Sequence, residues 1–394
     1  MPSAMASFSR RTPDDQRPNR LASARARLGE PAFDLTESNP TRCRLPYPED
    51  LLEALADPRG LVYRPEPKGP LAARAAVARQ YLGWGVELDP ERVLLTASTS
   101  EAYGFLMRLL ADPGDRLLVP SPSYPLFDQL ARLDAVSLVP YALDVEDGWR
   151  PDLDALAAAP EGCRALVVVH PNNPTGSFIQ PEDAARLGEL CRARGWALIA
   201  DEVFLPYPLD GGPGSDRSFA ATSSCLTFSL GGLSKSVGLP QLKLGWIAVS
   251  GPAGELPGAL ARLEYVADAY LSVSTPVALA AAQLLERGLP VQRAIAGRCR
   301  ANLARLRELA GTTPAVTVLP AGGGWSAVLR VPSLLDDEGL AVHLLETASV
   351  AVHPGYLFEM PGEGYLVVSL LPPEELFGEG VRRLLAAVDA LVAG

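Results

Sequence analysis

Two lysines lie only eight residues apart, Lys235 and Lys243, in the segment SLGGLSKSVGLPQLKLGW at 229–246. The chain has 35 Lys and Arg residues, and Lys68 is its one other lysine, so arginine stands at nearly every cationic position. A lysine between Ser and Gly residues after an apolar segment can lose its proton and form an imine with a carbonyl compound, which arginine cannot do. Taken by itself, this segment is also compatible with a solvated surface lysine.

Three further loops carry residues that a packed core does not require. The segment TASTSEA (96–102) leads into a predicted helix start, where free backbone N–H groups and the helix dipole favour an anion such as phosphate. HPNNPTG (170–176) places two amides in a rigid turn. ALIADEV (197–203) ends an apolar segment on Asp201, whose carboxylate would need a cation if buried. Helix capping and ordinary turn formation remain the alternatives for each loop alone.

The elements that must position these loops follow from the hydrophobic pattern between about 90 and 250. Seven nearly continuous apolar segments alternate with helical periodicity, which predicts βαβ units, the α/β class and strands buried on both faces of a mostly parallel sheet. The predicted strands are 92–96, 116–119, 135–139, 164–169, 196–200, 225–229 and 244–249, and the predicted helices are 99–111, 123–132 and 181–194. Because ligands bind at the carboxyl ends of such strands, we expect the loops to meet at one edge.

The pattern changes after residue 252 and predicts a smaller α+β domain. Helices are predicted first at 253–268, 275–287 and 290–310, and the last of these would link one domain to the next. The small domain then has the predicted strands 325–331, 349–352 and 365–371 and the predicted helices 336–347 and 374–393. We therefore predict a large domain over 50–288 and a small domain formed by 30–49 together with 289–394. Residues 1–29 are predicted to be a flexible tail, with a short helix near 20–28.

The composition narrows the class of protein. The net charge is -11, which argues against nucleic acid and anionic membranes as partners. No run of about 18 apolar residues occurs, so we expect no membrane span. Five cysteines without a CxxC pair predict reduced thiols and a cytoplasmic protein. Three histidines without ligand-like spacing predict no metal site.

In this order and spacing, the four loops resemble the class I/II aminotransferases among the fold-type I pyridoxal 5′-phosphate enzymes. The resemblance covers roughly 30–394 and includes the NPTG, DE and SK elements. It implies a large domain with a mostly parallel seven-stranded sheet flanked by helices, a smaller α+β domain, and amino-group transfer between an amino acid and a 2-oxo acid. It also implies a homodimer in which Tyr63 reaches the phosphate held by the neighbouring subunit.

The resemblance also assigns roles to individual residues. Lys235 would form the internal aldimine with the cofactor aldehyde and then act as the general base and acid. Asp201 would pair with the pyridinium nitrogen, Asn173 would bond the phenolic oxygen, and Tyr124 would stack on the ring. The expected phosphate contacts are Ser98, Thr99, Ser100, Ser234 and Lys243.

Four positions depart from the family pattern. Phe204 stands where many relatives carry a tyrosine that also bonds the phenolic oxygen, and its lack of a hydroxyl should raise the aldimine pKa. Gly232 replaces a phosphate-binding serine, for which Ser234 could compensate. Lys243 replaces an arginine, and we interpret it as a point-charge contact to the phosphate. Val367 occupies the expected position of the arginine that grips the substrate carboxylate.

The missing arginine leaves both the substrate site and the reaction open. The segment TESNPTRCR (36–44) aligns with the family segment that folds over the substrate, and it carries Asn39, Arg42 and Arg44. We hypothesise that Arg42 or Arg44 binds the carboxylate, and the alternative is an arginine paired on the surface. The same site could also serve a lyase, decarboxylase, racemase or cyclase. A regulator of this fold would need an added DNA-binding module, for which the first 30 residues are too short.

Overall fold

The computed structural model describes residues 8–13 and 17–394. Strands and helices are numbered in chain order. The strands are β1 Phe33–Asp34, β2 Val93–Thr96, β3 Arg116–Ser121, β4 Ser137–Asp144, β5 Arg150–Pro151, β6 Cys163–Val169, β7 Ala197–Asp201, β8 Thr227–Gly232, β9 Gly245–Ser250, β10 Thr317–Val318, β11 Ser326–Arg330, β12 Val350–Ala351, β13 His353–Pro354 and β14 Tyr365–Ser369. The α-helices are α1 Arg20–Leu28, α2 Leu71–Tyr81, α3 Thr99–Leu110, α4 Phe127–Leu133, α5 Leu153–Ala157, α6 Pro181–Arg194, α7 Leu233–Ser236, α8 Leu256–Asp268, α9 Thr275–Arg287, α10 Leu289–Ala310, α11 Asp337–Ala348 and α12 Glu374–Ala393. No helix in the described part of the chain is long and apolar enough to cross a membrane.

Within the described residues, the large sheet has eight strands in the order β2-β9-β8-β7-β6-β3-β4-β5. Strands β4, β3, β6, β7 and β8 are mutually parallel, and β9 runs antiparallel between β8 and β2. The predicted number of seven strands was wrong by one. The additional strand is the antiparallel edge strand β5, which is only two residues long and therefore too short to produce a hydrophobic pattern.

The central strands are apolar along their length because both of their faces are covered. In β6, Val167 packs in a cluster that contains residues of α3 and α8. Its neighbours Leu166 and Val168 point to the other face and pack with residues of α6, such as Leu187. Alternation between two buried faces is the arrangement that the continuous hydrophobic segments predicted.

The C-terminal part forms a second, four-stranded sheet in the order β10-β11-β14-β13, within the residues that the structure describes. Helices α10, α11 and α12 pack with it around one core, which also contains Leu35, Cys43 and Leu45 from the N-terminal segment. Strand β1 pairs with β12 in parallel. The N-terminal segment thus contributes to the small-domain core, while the domain boundaries at 50 and 288 stay predictions.

The N-terminal helix α1 forms where the sequence predicts one, at residues 20–28. Asn19 caps this helix by accepting a hydrogen bond from the Ala22 N–H group. Arg20 pairs with Asp336 and Glu338 of the small domain. The short helix near 20–28 is confirmed, and ion pairs and an apolar contact at Ala24 join it to α11. The flexibility of residues 1–29 stays a prediction. The rest of the predicted tail lies partly outside the described residues, at 1–7 and 14–16.

Candidate active site

The strand register brings the four loops to one edge of the large sheet, as predicted from the sequence. Thr96 at the end of β2 lies opposite Gly245, and Gly245 lies opposite Gly232 at the end of β8. Asp201 at the end of β7 lies between Leu230 of β8 and the last residue of β6. The four loops therefore all begin at this edge. They carry the hydroxyl residues at 98–100, the two asparagines, Asp201 and Lys235.

Asp201 is a buried carboxylate whose two oxygens accept different hydrogen bonds. Oδ2 accepts a hydrogen bond from the hydroxyl of Tyr103 over 3.0 Å, and Oδ1 accepts one from the N–H group of Val203 over 3.2 Å. Burial raises the pKa of Asp201 to about 6, while these two bonds and the charge of Lys235 act in the opposite direction. Tyr103 could not be recognised from the sequence, because its position in α3 follows the pattern of an ordinary core residue.

Lys235 lies in the short helix α7, directly after β8, and its amine lies beside two aromatic rings that also pack on each other. Its Nζ atom is 4.8 Å from the ring centroid of Trp325 and 5.4 Å from that of Phe204. Burial lowers the pKa of Lys235 to about 8, although the charge of Asp201 opposes this shift. Part of the Lys235 population is therefore uncharged near neutral pH, as a nucleophile and base requires.

The backbone around Lys235 is held by side chains from distant segments. The hydroxyl of Tyr207 donates a hydrogen bond to the carbonyl oxygen of Lys235. Ser236 Oγ donates to the carbonyl oxygen of Gly232 over 2.9 Å, and Gln292 donates to the carbonyl oxygen of Ser236 over 2.8 Å. A four-residue helix has little stability of its own, so these bonds fix the direction of the lysine side chain.

The N-terminus of α3 forms the turn predicted to bind phosphate. Ser98 is the N-cap residue, and its hydroxyl accepts a hydrogen bond from the N–H group of Glu101 over 3.1 Å. A Cβ atom on Gly245 would lie 3.0 Å from Ser98 and from Thr96 Oγ1, so only glycine lets β9 approach this turn so closely. Thr99 follows Ser98 in the first turn, where the backbone N–H groups and the helix dipole can act on an anion.

The two asparagines of the HPNNPTG loop differ in their surroundings. Asn172 is buried, and its amide donates to the carbonyl oxygen of Pro122 and to Thr175 Oγ1. Asn173 is half-buried and forms no hydrogen bond with any residue that the structure describes. Asn172 thus ties this loop to the segment that carries Tyr124, and the amide of Asn173 remains available to a ligand.

A glycine-rich turn of the small domain closes against this loop. A Cβ atom on Gly176, which has a φ of +71°, would lie 2.5 Å from the carbonyl oxygen of Gly323. The N–H group of Gly323 donates to the carbonyl oxygen of Gly176 over 2.8 Å. This contact places Trp325 beside Phe204, with their ring centroids 5.3 Å apart. No motif in the sequence assigned Trp325 to the site, because it belongs to the small domain and reaches the lysine only through this contact.

The remaining predicted cofactor contacts lie nearer the surface. Lys243 is exposed just before β9, has a φ of +51°, and forms no ion pair with the residues described. Ser234 is half-buried beside Lys235. Tyr63 is 73% exposed in a loop, where it lines a cleft together with Leu95 of β2.

The predicted substrate segment also lies at the surface. Arg42 is 71% exposed and pairs with Glu37 over 3.2 Å, which corresponds to the surface-pairing alternative. Asn39 accepts a hydrogen bond from the N–H group of Thr41, and Arg44 is exposed with a φ of +53°. Val367 is buried in β14 opposite Val328 and His353, so this strand carries no cation at the expected position.

Comparison with known proteins identifies the family. The family model for aminotransferase class I and II matches residues 33–383. An alanine aminotransferase of Mycobacterium tuberculosis (strain ATCC 25618 / H37Rv) is 31% identical over 349 residues, which are 85% of this chain and 79% of the relative. The glutamate-pyruvate aminotransferase AlaA of Escherichia coli (strain K12) is 27% identical over 314 residues, which are 77% of each chain.

Solved structures agree on the fold. The crystal structure of an aminotransferase from Escherichia coli superposes with a TM-score of 0.85 at 24% identity, covering 98% of this chain and 99% of the other. An alanine aminotransferase from Pyrococcus furiosus gives a TM-score of 0.82 at 24% identity, covering 94% of this chain and 95% of the other. The fold is that of the fold-type I pyridoxal-phosphate enzymes. The chain belongs to the aminotransferase class I and II family, and the reaction it catalyses is amino-group transfer.

Proposed function

We propose that pyridoxal 5′-phosphate, the cofactor on which this family depends, binds at the carboxyl edge of the large sheet. The observation that supports this most is the pair of Asp201 and Lys235, a buried carboxylate and a half-buried amine with a lowered pKa at the same edge. The side chains present fit the cofactor. A carboxylate suits its ring nitrogen, an unpaired amide suits its phenolic oxygen, and a helix N-terminus suits its phosphate.

When bound, the cofactor supplies an electron-withdrawing ring that stabilises negative charge on the substrate carbon. Asp201 would hold a proton on the ring nitrogen, and this pairing gives the buried carboxylate a cation. The amide of Asn173 would donate to the phenolic oxygen. Tyr124 would cover one face of the ring, and Phe204 would contribute only apolar contact, because it carries no hydroxyl.

The phosphate would lie at the N-terminus of α3. Its partners would be backbone N–H groups and the hydroxyls of Ser98, Thr99 and Ser100. The Ser98 hydroxyl accepts the capping bond from Glu101 and keeps its own proton to donate. Ser234 would add a hydroxyl from the lysine loop. Lys243 would supply a positive charge, which is free of ion pairs in the part of the chain described.

Lys235 would move the proton in the reaction between an amino acid and a 2-oxo acid. Its Nζ atom would take the proton from the α-carbon of the substrate as a base and then donate it, as an acid, to the cofactor carbon that carried the aldehyde oxygen. Phe204 and Trp325 lie beside this atom and would shield one side of it from water, which favours the uncharged amine and a lowered pKa.

The substrate carboxylate would be bound by Arg42 or Arg44, with Asn39 lining the same segment. The ion pair between Arg42 and Glu37 is highly exposed, so it contributes little energy and can be exchanged for a substrate carboxylate. Because relatives are named alanine and glutamate-pyruvate aminotransferases, we propose glutamate as donor with pyruvate as acceptor, and alanine with 2-oxoglutarate for the reverse direction, as the first pairs to test.

The carboxylate hypothesis is tested by Arg42→Ala and Arg44→Ala, measured separately. At least one change should raise KM for the 2-oxo acid about tenfold while the cofactor affinity stays unchanged. If neither variant raises KM, these arginines do not bind the carboxylate.

We propose further that the active protein is a cytoplasmic homodimer. Leu61 is 90% exposed and Tyr265 is 80% exposed, and Tyr63 lines the same cleft as residues at the end of α8. Large exposed apolar side chains are typical of a protein interface, and Tyr63 would reach the phosphate held by the partner. Sedimentation should give a dimer for the wild type and for Leu334→Asp, which replaces an exposed leucine of the small domain, and a monomer for Leu61→Asp.

The activity is tested by half-reactions followed by absorbance. Addition of an amino acid should convert the bound cofactor from its aldehyde to its amine form, and a 2-oxo acid should reverse the change. Release of pyruvate and ammonia from serine or cysteine, without this reversible conversion, would instead indicate the lyase alternative, which the names of the relatives do not favour.

A further inference from the structure

Tyr103 contacts two parts of the proposed cofactor site, Asp201 directly and Tyr124 through Phe127. It has none of the roles proposed above for the cofactor site. Its side chain is buried in α3, and its hydroxyl donates to Asp201 Oδ2 over 3.0 Å. A buried tyrosine hydroxyl needs a partner, and a buried carboxylate needs donors, so this bond satisfies both groups. Val203 holds the other oxygen, which leaves the carboxylate one fixed orientation.

The ring of Tyr103 reaches Tyr124 through one intermediate ring. Tyr103 and Phe127 pack edge to face with centroids 5.2 Å apart and an interplanar angle of 77°. Phe127 packs in the same way on Tyr124, at 5.9 Å and 87°. The residue proposed to cover the cofactor ring is therefore supported by the same side chain that holds Asp201.

Helix α3 places this tyrosine in a fixed relation to the phosphate turn. Tyr103 follows the N-cap residue Ser98 by five positions, which corresponds to about 7 Å along the helix axis. One rigid helix thus carries the proposed phosphate site at its end and the support of Asp201 one turn later.

We infer that Tyr103 is a positioning residue that orients the Asp201 carboxylate towards the ring nitrogen of the cofactor and supports Tyr124 through Phe127. This inference rests on the proposed binding of pyridoxal phosphate. If it is correct, loss of the hydroxyl should weaken the binding of ligands that have the ring nitrogen. Binding of a ligand that lacks this nitrogen should change little, because the core stays intact.

The groups around Asp201 determine how its pKa should change when the hydroxyl of Tyr103 is removed. Asp201 interacts electrostatically with four titratable side chains, which are Tyr103, Tyr124, Lys235 and the adjacent Glu202. The carboxylate of Glu202 is itself bonded to Ser218 and to the N–H group of Phe219. The bond from Tyr103 favours the ionised form of Asp201, so its removal should raise the pKa of Asp201 above about 6.

The experiment compares Tyr103→Phe with Tyr141→Phe. Tyr141 is also fully buried, but its hydroxyl donates to the backbone carbonyl oxygen of Val167. The measured quantity is the dissociation constant of pyridoxal phosphate and of its analogue with carbon in place of the ring nitrogen, between pH 5.5 and 8.5. A thermal melt of each cofactor-free variant checks its folding.

We expect Tyr103→Phe to raise the dissociation constant of pyridoxal phosphate about tenfold, with a larger increase near pH 5.5 than near pH 8.5. The dissociation constant of the analogue should change less than twofold. Tyr141→Phe should change neither constant. Equal weakening of both ligands by Tyr103→Phe, or no weakening of either, would overturn the role of Tyr103. A wild-type protein that binds both ligands equally well would instead contradict the proposed pairing of Asp201 with the ring nitrogen.

A second variant tests the aromatic contact. Tyr103→Leu removes both the hydroxyl and the ring, so it should weaken the analogue as well, because Tyr124 loses its support. If Tyr103→Leu leaves analogue binding at the level of Tyr103→Phe, the connection through Phe127 has no role.

Discussion

The hydroxyl of Tyr207 donates a hydrogen bond to the backbone carbonyl oxygen of Lys235. Tyr207 is fully buried, and its ring lies 5.2 Å from that of Trp325, the residue that also covers the lysine side chain. The same tyrosine therefore holds the lysine backbone and supports an aromatic ring beside its amine. The lysine depends for its direction on a residue 28 positions away in the chain.

We expect Tyr207→Phe to lower the free energy of unfolding by about 1–2 kcal/mol, because a buried carbonyl oxygen loses its donor. It should also lower kcat several-fold, since Lys235 loses its orientation. Urea unfolding and steady-state kinetics measure the two effects. Tyr47→Phe is the control, because Tyr47 donates to the carbonyl oxygen of Gly238 in the same loop over 2.7 Å. An equal loss of kcat in both variants would contradict a specific role for Tyr207.

Phe204→Tyr should restore a hydroxyl beside the phenolic oxygen of the cofactor. A donor there stabilises the deprotonated oxygen, so the pKa of the cofactor absorbance transition should fall by roughly one unit. A spectrophotometric pH titration of the loaded protein measures it. A pKa that is unchanged or raised would show that the ring of Phe204, which packs on Trp325, does not face that oxygen.

Lys243→Ala should weaken pyridoxal phosphate about tenfold, because the phosphate loses a positive charge. Lys243→Arg should also change the affinity, since a planar guanidinium replaces a compact charge on a backbone with a φ of +51°. The control is Lys68→Ala, which removes a lysine paired with Glu91. If Lys243→Ala binds the cofactor as the wild type does, Lys243 is only a surface charge.

Gly245→Ala should disturb the phosphate turn. The added Cβ atom would lie 3.0 Å from Ser98 and from Thr96 Oγ1, so the turn or the strand must shift. We expect a loss of about 1–3 kcal/mol in stability and weaker cofactor binding. Gly297→Ala is a suitable control, because a Cβ atom there meets no atom within 4 Å. Unchanged cofactor affinity in Gly245→Ala would mean that the turn tolerates displacement.

The positions of strands and helices could be predicted from the sequence where a hydrophobic pattern extends over several residues. Strands such as β6 and β7 are apolar throughout, so their position and the edge that carries Asp201 and Lys235 could be predicted. Strand β5 could not, because two residues show no periodicity. The packing of α1 against α11 could not be predicted either. It depends on ion pairs such as that of Arg20 with Asp336, which are more than 300 residues apart in the chain.

Residues that act through tertiary contacts were also missed. Tyr103 occupies a core position of an amphipathic helix, and only the structure shows that its hydroxyl meets Asp201. Trp325 follows a glycine-rich turn that predicts flexibility, whereas the glycines permit close contact with Gly176. The sequence does not show which of the two neighbouring asparagines bonds within the protein. In the structure it is Asn172, whose amide donates to Pro122 and Thr175.

The central claim is that Lys235 is the amine that binds the cofactor aldehyde. The most direct measurement is borohydride reduction of the cofactor-loaded protein, which fixes the cofactor irreversibly to that amine, followed by mass spectrometry of the peptides. Because the chain has only three lysines, the answer is unambiguous. The modification should fall on the peptide with Lys235 and vanish, together with activity, in Lys235→Ala. Modification at Lys243 or Lys68, or activity that persists in Lys235→Ala, would contradict the claim.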